Sequence, residues 1–278
     1  MGKKPNECDM GAEKGKGMEM GIQMLVSAVN QEVRTIAERM NLEADAIVIN
    51  QCDSFGYEEY ECHGHRIRCY SLKERGVGLS RNNALMRAEA GLCMFADEDI
   101  VYETGYARRV EEVFKQHKDV DVVLFNVKVA PARRTYWNEG EKRVRWYNYG
   151  RYPAYSVAAR TDALHRANVN FSLLFGGGAR YSNGEDSLFL RDCLRAGLRL
   201  MASPVVIGQE RERESTWFHG YTDKFFKDRG VLYHFLYGKM AAPFSLRFLF
   251  AHRGEMCRET GWREAYGLMK EGIKEGKG

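Results

Sequence analysis

Apolar runs that alternate with helical patterns organise the first half of this chain. Runs at residues 22–29 (IQMLVSAV), 46–50 (AIVIN), 66–72, 91–96 and 121–129 have the length of buried strands. Between them, residues 32–40, 79–90 and 103–117 are predicted to be helical. In the last of these, Tyr106, Val110, Val113, Phe114 and His117 fall on one face. The alternation predicts an α/β fold with a mostly parallel sheet, which binds ligands at the carboxyl ends of its strands.

The pattern changes after residue 130. Residues 131–160 are rich in Arg, Trp and Tyr, which favours short antiparallel strands or loops around a polar pocket. A glycine-rich turn at 175–179 precedes a predicted helix at 184–196 and a predicted strand pair at 198–207. Residues 221–250 are predicted to be helical with a break at Pro243, and residues 271–278 to be frayed. Residues 1–21, polar and rich in Gly, Lys and Glu, are predicted to be a disordered lead-in.

Composition excludes some functions. The chain has 278 residues, 44% of them hydrophobic, and a net charge of +4, which is too weak to indicate a nucleic-acid partner. No apolar run approaches the roughly 18 residues of a membrane-spanning helix, and the amino terminus has no apolar signal region. Seven scattered cysteines suit reduced thiols. We therefore expect a cytoplasmic protein.

One group of residues has the spacing of a zinc site. Cys62, His63, His65 and Cys69 lie within eight residues. Cys69, however, falls inside a predicted strand, and the chain has no second paired cysteine motif. Zinc binding is therefore an alternative that these residues favour only weakly.

Three consecutive acids, Asp97, Glu98 and Asp99, follow the buried strand at 91–96. Crowded carboxylates repel each other unless a cation or hydrogen-bond donors neutralise them, and hard cations such as Mg²⁺ and Mn²⁺ prefer such oxygen ligands. The alternative is an acidic turn that caps the next helix. Asn30 and Asp53 also follow strand ends, so we expect them to converge on the same crevice as these acids.

Two predicted helix starts carry further candidates. The segment from Arg75 through Gly-Val-Gly-Leu to Ser80, Arg81 and Asn82 places glycines and polar side chains at a helix amino terminus, which favours an anionic ligand or simply an ordinary capped helix. The segment Gly184-Glu185-Asp186 contains acids that either stabilise their own helix or supply a general base.

The order and spacing of these segments over residues 22–220 resemble the family 2 glycosyltransferases of the GT-A fold. The resemblance implies a Rossmann-like sheet flanked by helices, with a nucleotide-sugar-binding half at 22–130 and a smaller antiparallel acceptor-binding half at 131–220. Residues 221–278 then form a C-terminal helical extension. The chain departs from the family at the end of its first strand, Ser27-Ala-Val-Asn30, which lacks the usual Pro and Tyr.

The resemblance also implies roles for single residues. Asp186 is similar to the catalytic base, with Glu185 beside it to hold acceptor hydroxyls. Asp99 is expected to bind Mg²⁺ or Mn²⁺, together with Asp97 and His219, and strand alternation predicts that Glu98 points away. Donor-binding roles are implied for Asn30, Asn50, Gln51, Asp53, Arg75, Ser80, Asn82 and Asp97. Acceptor-binding roles are assigned to Trp217, Gly177 and Gly178.

The expected function is that of an inverting glycosyltransferase. The donor is a nucleotide sugar, with UDP favoured, and the acceptor is a hydroxyl of a glycan or a lipid-linked molecule in surface polysaccharide or glycoconjugate synthesis. One alternative is a nucleotidyltransferase, although Asn30-Gln-Glu-Val lacks the glycine-rich basic loop of that class. Another is a non-catalytic nucleotide- or glycan-binding module. For residues 225–252, a buried helix pair and peripheral contact with the inner face of a membrane both stay open.

Overall fold

A computed structural model describes residues 21–131, 133–211, 220–258 and 260–278. The predicted lead-in, apart from Gly21, lies outside them. The strands are β1 (Ile22–Val29), β2 (Asp45–Gln51), β3 (Gly56–Cys62), β4 (His65–Leu72), β5 (Leu92–Asp97), β6 (Ile100–Tyr102), β7 (Val122–Lys128), β8 (Lys142–Val144), β9 (Val157–Arg160) and β10 (Leu200–Glu210). The α-helices are α1 (Val33–Arg39), α2 (Val77–Met86), α3 (Tyr106–Gln116), α4 (Thr161–Ala167), α5 (Glu185–Arg195), α6 (Asp223–Tyr237), α7 (Ala241–Met256) and α8 (Trp262–Glu275).

All of the strands in the described ranges join one sheet, in the order β3-β4-β2-β1-β5-β9-β7-β10-β6, with β8 paired to β10. β1 runs parallel to both β2 and β5. β2 also runs parallel to β4, and β7 runs parallel to β10. β9 lies antiparallel between β5 and β7, and β3, β6 and β8 are also antiparallel to their partners. The predicted mostly parallel α/β sheet is confirmed.

Helices cover both faces of the sheet, which explains why its central strands are apolar without alternation. Met24 and Val26 of β1 pack in one core with α1 and α3. Leu25 points the other way, into a core shared with α2, α4, α5 and α6. A smaller core around Phe226 and Met269 joins α6, α7 and α8. No helix of the described ranges is long and apolar enough to cross a membrane.

Several predicted elements differ from the structure. The strand pair expected at 198–207 is the single strand β10, whose register with β7 shifts between Ala202 and Gly208. The break expected at Pro243 lies earlier, at Gly238, where φ is +54°. Pro243 itself sits in the first turn of α7, where a backbone donor is not needed. The C-terminal residues expected to fray instead belong largely to α8, which packs against α6.

The zinc alternative is wrong. Cys62 and His65 face each other across a tight hairpin turn between β3 and β4, in which His63 and Gly64 have φ values of +52° and +80°. Cys69 is buried in β4, and burial raises the pKa of its thiol to about 12. Within the described ranges, no three His, Cys, Asp or Glu side chains lie close enough together to hold a metal ion. The spacing that suggested a metal site is that of a two-residue hairpin turn.

Candidate active site

A cavity of about 410 Å³ opens at the carboxyl ends of β1, β2 and β5. The loop before α2, the start of α5 and the end of β10 complete its wall. The residues that line it are Ser27, Val29, Gln31, Gln51, Arg75, Gly76, Val77, Arg81, Asp97, Glu98, Asp99, Arg133, Tyr155, Gly177, Gly178, Ser182, Glu185 and Glu210. Its position is the one that a mostly parallel sheet predicts for a ligand site.

Arg81 connects the acids of the site. It lies on α2 with only 4% of its side chain exposed. Its Nη2 donates to both carboxylate oxygens of Asp97, at 3.0 and 3.3 Å, and its Nη1 donates to Asp186 at 2.8 Å and to Glu185 at 3.3 Å. These carboxylates raise the pKa of Arg81 further, against the opposing effect of burial. One buried cation therefore joins the acid at the end of β5 to the two acids that begin α5.

Asp186 has a pKa at which its carboxyl can both bind and release a proton near neutral pH. Burial and the charge of Glu185 raise its pKa from 3.8 to about 7, while Arg81 and the backbone N–H of Ala154 act in the opposite direction. Its side chain remains 24% exposed, so the carboxylate is accessible although most of it is shielded. Glu185, rather than Asp186, lies on the cavity wall, and it also accepts a hydrogen bond from the backbone N–H of Gly184 at 3.0 Å.

Gly184 fixes the position of these two acids. Its φ of +123° is a backbone conformation that other residues rarely adopt, and it lets the chain turn directly into α5. A Cβ atom at this position would lie 2.5 Å from a side-chain methyl of Leu232 on α6. Any other residue at this position would combine an unfavourable backbone conformation with a shift of the Leu232 side chain.

The turn after β5 brings all three consecutive acids to the cavity. Glu98 lines the wall with Asp97 and Asp99, so the expectation that it points away is wrong. Strand alternation does not apply to it because Glu98 and Asp99 form a turn between β5 and β6. The backbone N–H of Glu98 donates to Ser27, and the backbone carbonyl of Asp99 accepts from Arg211, which anchors this turn to β1 and to the chain after β10.

The charges on the cavity wall fit a divalent cation. Among the described residues that line the cavity, acids outnumber arginines by five to three. Carboxylate oxygens are the ligands that Mg²⁺ and Mn²⁺ prefer. Of these acids, Asp97 is held in place, because both of its oxygens accept hydrogen bonds from Arg81. The described side chains alone do not form a cluster of three ligands, so a bound cation would need oxygens from its substrate as well.

Arg75, which also lines the cavity, donates hydrogen bonds to two of the predicted donor-binding residues. Its Nη2 lies 3.2 Å from Asp53 and 3.5 Å from Asn30, both of which follow strand ends. Gln51 accepts a hydrogen bond from the backbone N–H of Gly76 at 2.7 Å and thereby holds the loop before α2. Asn50 bonds the backbone N–H and carbonyl of Gln31. Asn30 and Asp53 meet at Arg75, which lines the cavity, but neither of them lies on the cavity wall beside the acids as was expected.

Two predicted donor-binding residues bond to protein groups instead. Ser80 is fully buried, and its hydroxyl donates to that of Ser27 at 3.0 Å. Asn82 bonds both the backbone N–H and the carbonyl of Phe171, which ties the segment before the glycine-rich turn to α2. Neither belongs to the cavity wall. Their contribution to the site is to position the elements around it.

The glycine-rich turn reaches the cavity. Gly177 and Gly178 line it, and the carbonyl of Gly177 accepts a hydrogen bond from the backbone N–H of Val77 at 2.9 Å. A Cβ atom on Gly178 would lie 2.9 Å from the backbone nitrogen of Gly76, so only glycine fits there. Trp217 and His219 lie outside the described residues.

Arg133, Tyr155 and Glu210 are among the residues of the cavity wall that sequence reasoning missed. Arg133 pairs with Glu210 at 2.8 Å. Burial, followed by the charges of Tyr136, Glu210, Asp97 and Asp186, raises the pKa of the Tyr155 hydroxyl well above the usual range. Glu210 ends β10, so the strand-end argument would have found it if the strand had been predicted at its full length. No local pattern marks Arg133 or Tyr155.

The structure is similar to solved glycosyltransferases. It aligns with residues 1–349 of Staphylococcus aureus TarS in complex with UDP-GlcNAc at a TM-score of 0.62 and 15% identity, over 91% of this chain and 82% of that one. The same protein in complex with UDP gives a TM-score of 0.59 at 16% identity, over 92% and 82% of the two chains. The mannosyltransferase PcManGT from Pyrobaculum calidifontis, in complex with GDP-Man and Mn²⁺, gives 0.51 at 11% identity, over 92% and 87%.

The fold is that of GT-A-like glycosyltransferases. At these low identities the similarity establishes the fold and nothing further about this chain. No protein-family model matches the sequence, and no curated protein matches it. The chemistry of the site therefore has to be argued from its own residues.

Proposed function

We propose that this protein is a metal-dependent, inverting glycosyltransferase of family 2, which moves a sugar from a nucleotide-diphosphate donor to an acceptor hydroxyl. One observation carries the proposal: Arg81 joins an acid at the carboxyl end of a sheet strand to a pair of acids that begin a helix on the acceptor side. A transferase needs a set of polar groups that bind the donor and a separate base that deprotonates the acceptor. This arrangement supplies both beside one cavity.

The cavity suits a nucleotide sugar as donor. The structurally similar TarS and PcManGT are complexes with UDP-GlcNAc and GDP-Man. In this chain, Arg75 and Gln51 lie at the end of the cavity assigned to the nucleotide, and Arg75 offers a cation beside the exposed carboxylate of Asp53. We favour a UDP-sugar, with Asp53 and Arg75 next to the base and the ribose.

A divalent cation explains how an anionic donor enters an acidic cavity. A diphosphate adds negative charge to a wall on which the acids of the described residues outnumber the arginines by five to three, and a divalent cation would reduce the resulting repulsion. Asp99 would hold Mg²⁺ or Mn²⁺, with Asp97 beside it fixed by Arg81. When bound, such an ion offsets the charge that develops on the leaving diphosphate.

Asp186 is the proposed general base. It takes the proton of the acceptor hydroxyl as that oxygen bonds to the anomeric carbon, while the bond from that carbon to the diphosphate oxygen breaks with its electron pair. This single displacement inverts the anomeric configuration. Glu185, on the cavity wall, accepts a hydrogen bond from another acceptor hydroxyl and keeps the pKa of Asp186 high. Arg81 holds both carboxylates in place.

The acceptor is proposed to be a glycan or lipid-linked hydroxyl compound at the cytoplasmic face of a membrane, in the synthesis of a surface polysaccharide or glycoconjugate. Gly177 and Gly178 leave room on the acceptor side because they carry no side chains. Trp217 is proposed to stack on the acceptor.

A panel of nucleotide sugars tests the donor class. Thermal stability would be measured with UDP-, GDP-, ADP- and dTDP-sugars, each with and without Mn²⁺. We expect stabilisation by UDP-sugars that depends on Mn²⁺. Stabilisation by none of the four would contradict the proposal, and stabilisation by another nucleotide would correct the donor alone.

The variant Asp186→Asn tests the base. It should lower transfer by about 10²-fold to 10⁴-fold while the donor dissociation constant changes by less than about threefold. The control is Asp192→Asn, which alters an acid on the same helix that pairs with Arg191. Transfer that survives in Asp186→Asn would exclude Asp186 as the base, and Glu185→Gln would then identify the alternative.

A further inference from the structure

Helix α7 presents an exposed surface that mixes large apolar and basic side chains. It packs against α6 and α8, and Ala241, Ser245 and Leu249, four residues apart along the helix, are its buried side chains. The opposite side stays exposed. Arg247 and Phe250 lie there, and Met240 lies directly before the first residue of the helix. Phe250 is 49% exposed and Met240 53% exposed.

The apolar part of this surface extends onto α8. The ring of Trp262 lies 5.4 Å from that of Phe250, centroid to centroid, and Trp262 itself is 38% exposed. The guanidinium of Arg263 lies over the Trp262 ring at 5.4 Å. We call this patch the α7 surface. It consists of three apolar residues, Met240, Phe250 and Trp262, and four basic residues, Lys239, Arg247, Arg253 and Arg263.

The charge of the α7 surface points to an anionic partner. Residues 239–263 contain five Lys or Arg residues and two acids. Lys239, Arg247 and Arg253 are exposed, and none of the three forms an ion pair with another residue of the described ranges. A second copy of the chain is a poor partner, because a symmetric contact would bring these cations face to face.

We propose that the α7 surface docks the protein on an anionic lipid bilayer. Met240, Phe250 and Trp262 would enter the boundary between headgroups and acyl chains, and Lys239, Arg247, Arg253 and Arg263 would contact the anionic headgroups. A helix that lies in the interface has this composition, with Trp, Phe and Met beside Lys and Arg. The inference does not depend on the proposed catalytic function, since it concerns a different surface.

Vesicle sedimentation of the full chain tests the proposal. Vesicles of phosphatidylcholine alone would be compared with vesicles that also contain phosphatidylglycerol, at low and at physiological salt. We expect binding to the anionic vesicles that weakens as salt increases. The double variant Arg247→Glu/Arg253→Glu should lower the apparent binding constant by about tenfold or more. Phe250→Ser should lower it by at least about fivefold.

Two controls separate the α7 surface from general charge and general hydrophobicity. Lys118→Glu/Arg145→Glu makes the same change in net charge at exposed positions elsewhere. Phe55→Ser removes an exposed aromatic ring from the loop before β3. Both should bind as the unaltered protein does. The proposal is overturned if anionic vesicles are not preferred, if controls and α7 variants lose binding equally, or if the α7 variants instead affect only binding to nucleic acid.

Discussion

Asp97 and Asp186 accept hydrogen bonds from opposite nitrogens of the same guanidinium, that of Arg81, at 3.0 Å and 2.8 Å. The first acid ends β5 and the second lies in the first turn of α5, so the two elements are tied through one buried side chain. A change in the charge at either acid alters the balance at the other.

Arg81→Met should destabilise the protein. It leaves three carboxylates without their shared cation, and the loss of one partner from a buried charge network costs about 3 kcal/mol or more. Urea unfolding at pH 8 measures the effect, which should shrink at pH 5 because Asp186, whose pKa is about 7, takes up a proton. Arg108→Met, which removes an exposed ion pair to Glu112, is the control and should cost at most about 1 kcal/mol. Equal stability of the two variants would contradict the network.

Transfer should increase as pH rises through about 7, because Asp186 has to be deprotonated to act as a base and its pKa is about 7. The transfer rate at saturating donor, measured from pH 5.5 to 8.5, gives the pH at which this rise, the acidic limb of the pH profile, reaches half its height. Glu185→Gln should move it to lower pH, since the charge of Glu185 raises the pKa of Asp186. A limb that stays in place in Glu185→Gln would show that the two acids are not coupled.

Asp186→Asn should stabilise the protein increasingly as pH rises. The pKa of Asp186 is higher in the folded chain than its ordinary value of 3.8, so folding favours the protonated form. The stability that this proton contributes is present below the ordinary pKa and is lost as pH rises through about 7. Asn cannot lose a proton. The difference in melting temperature between variant and unaltered protein should therefore grow from pH 4 to 7 and then level off, and a difference independent of pH would contradict the raised pKa.

Asp99→Asn should weaken the binding of Mn²⁺. The expected result is a rise in the Mn²⁺ concentration for half-maximal transfer that exceeds the roughly tenfold cost of a lost outer-shell partner. Titration of Mn²⁺ in the presence of UDP, followed by calorimetry, gives a second readout that needs no turnover. Asp162→Asn, at an exposed acid on α4, should change neither. An unchanged Mn²⁺ requirement in Asp99→Asn would assign the ion to other residues.

Gly184→Ala should destabilise the protein more than Gly197→Ala. Both glycines have positive φ, which costs another residue about 1–2 kcal/mol, but only at Gly184 would the new Cβ atom collide with Leu232. Chemical denaturation of both variants measures the difference. In a Leu232→Ala background the extra cost of Gly184→Ala should fall, because the colliding methyls are gone. If it does not fall, packing of α6 is not what requires this glycine.

The amino-acid sequence determined the local elements and the residues at their ends. The face of α3 with Tyr106, Val110, Val113 and Phe114 is buried as its helical spacing predicted, and β1 has the predicted bounds. Asp97, at a strand end, lines the cavity for the reason given in advance, that parallel strands present their carboxyl ends at one edge. These features depend on side chains a few positions apart, so the periodicity of the chain records them.

Tertiary structure alone decided which of the candidates meet. Arg81 became the centre of the site because α2 packs on β1 and β2, from where this side chain reaches acids of both β5 and α5. Ser80, one position away, is fully buried instead. Glu98 turned toward the cavity because it lies in a turn rather than in a strand. Hydrogen bonds and ion pairs between distant segments require atoms within about 3 Å of each other, and no spacing along the chain encodes such a distance.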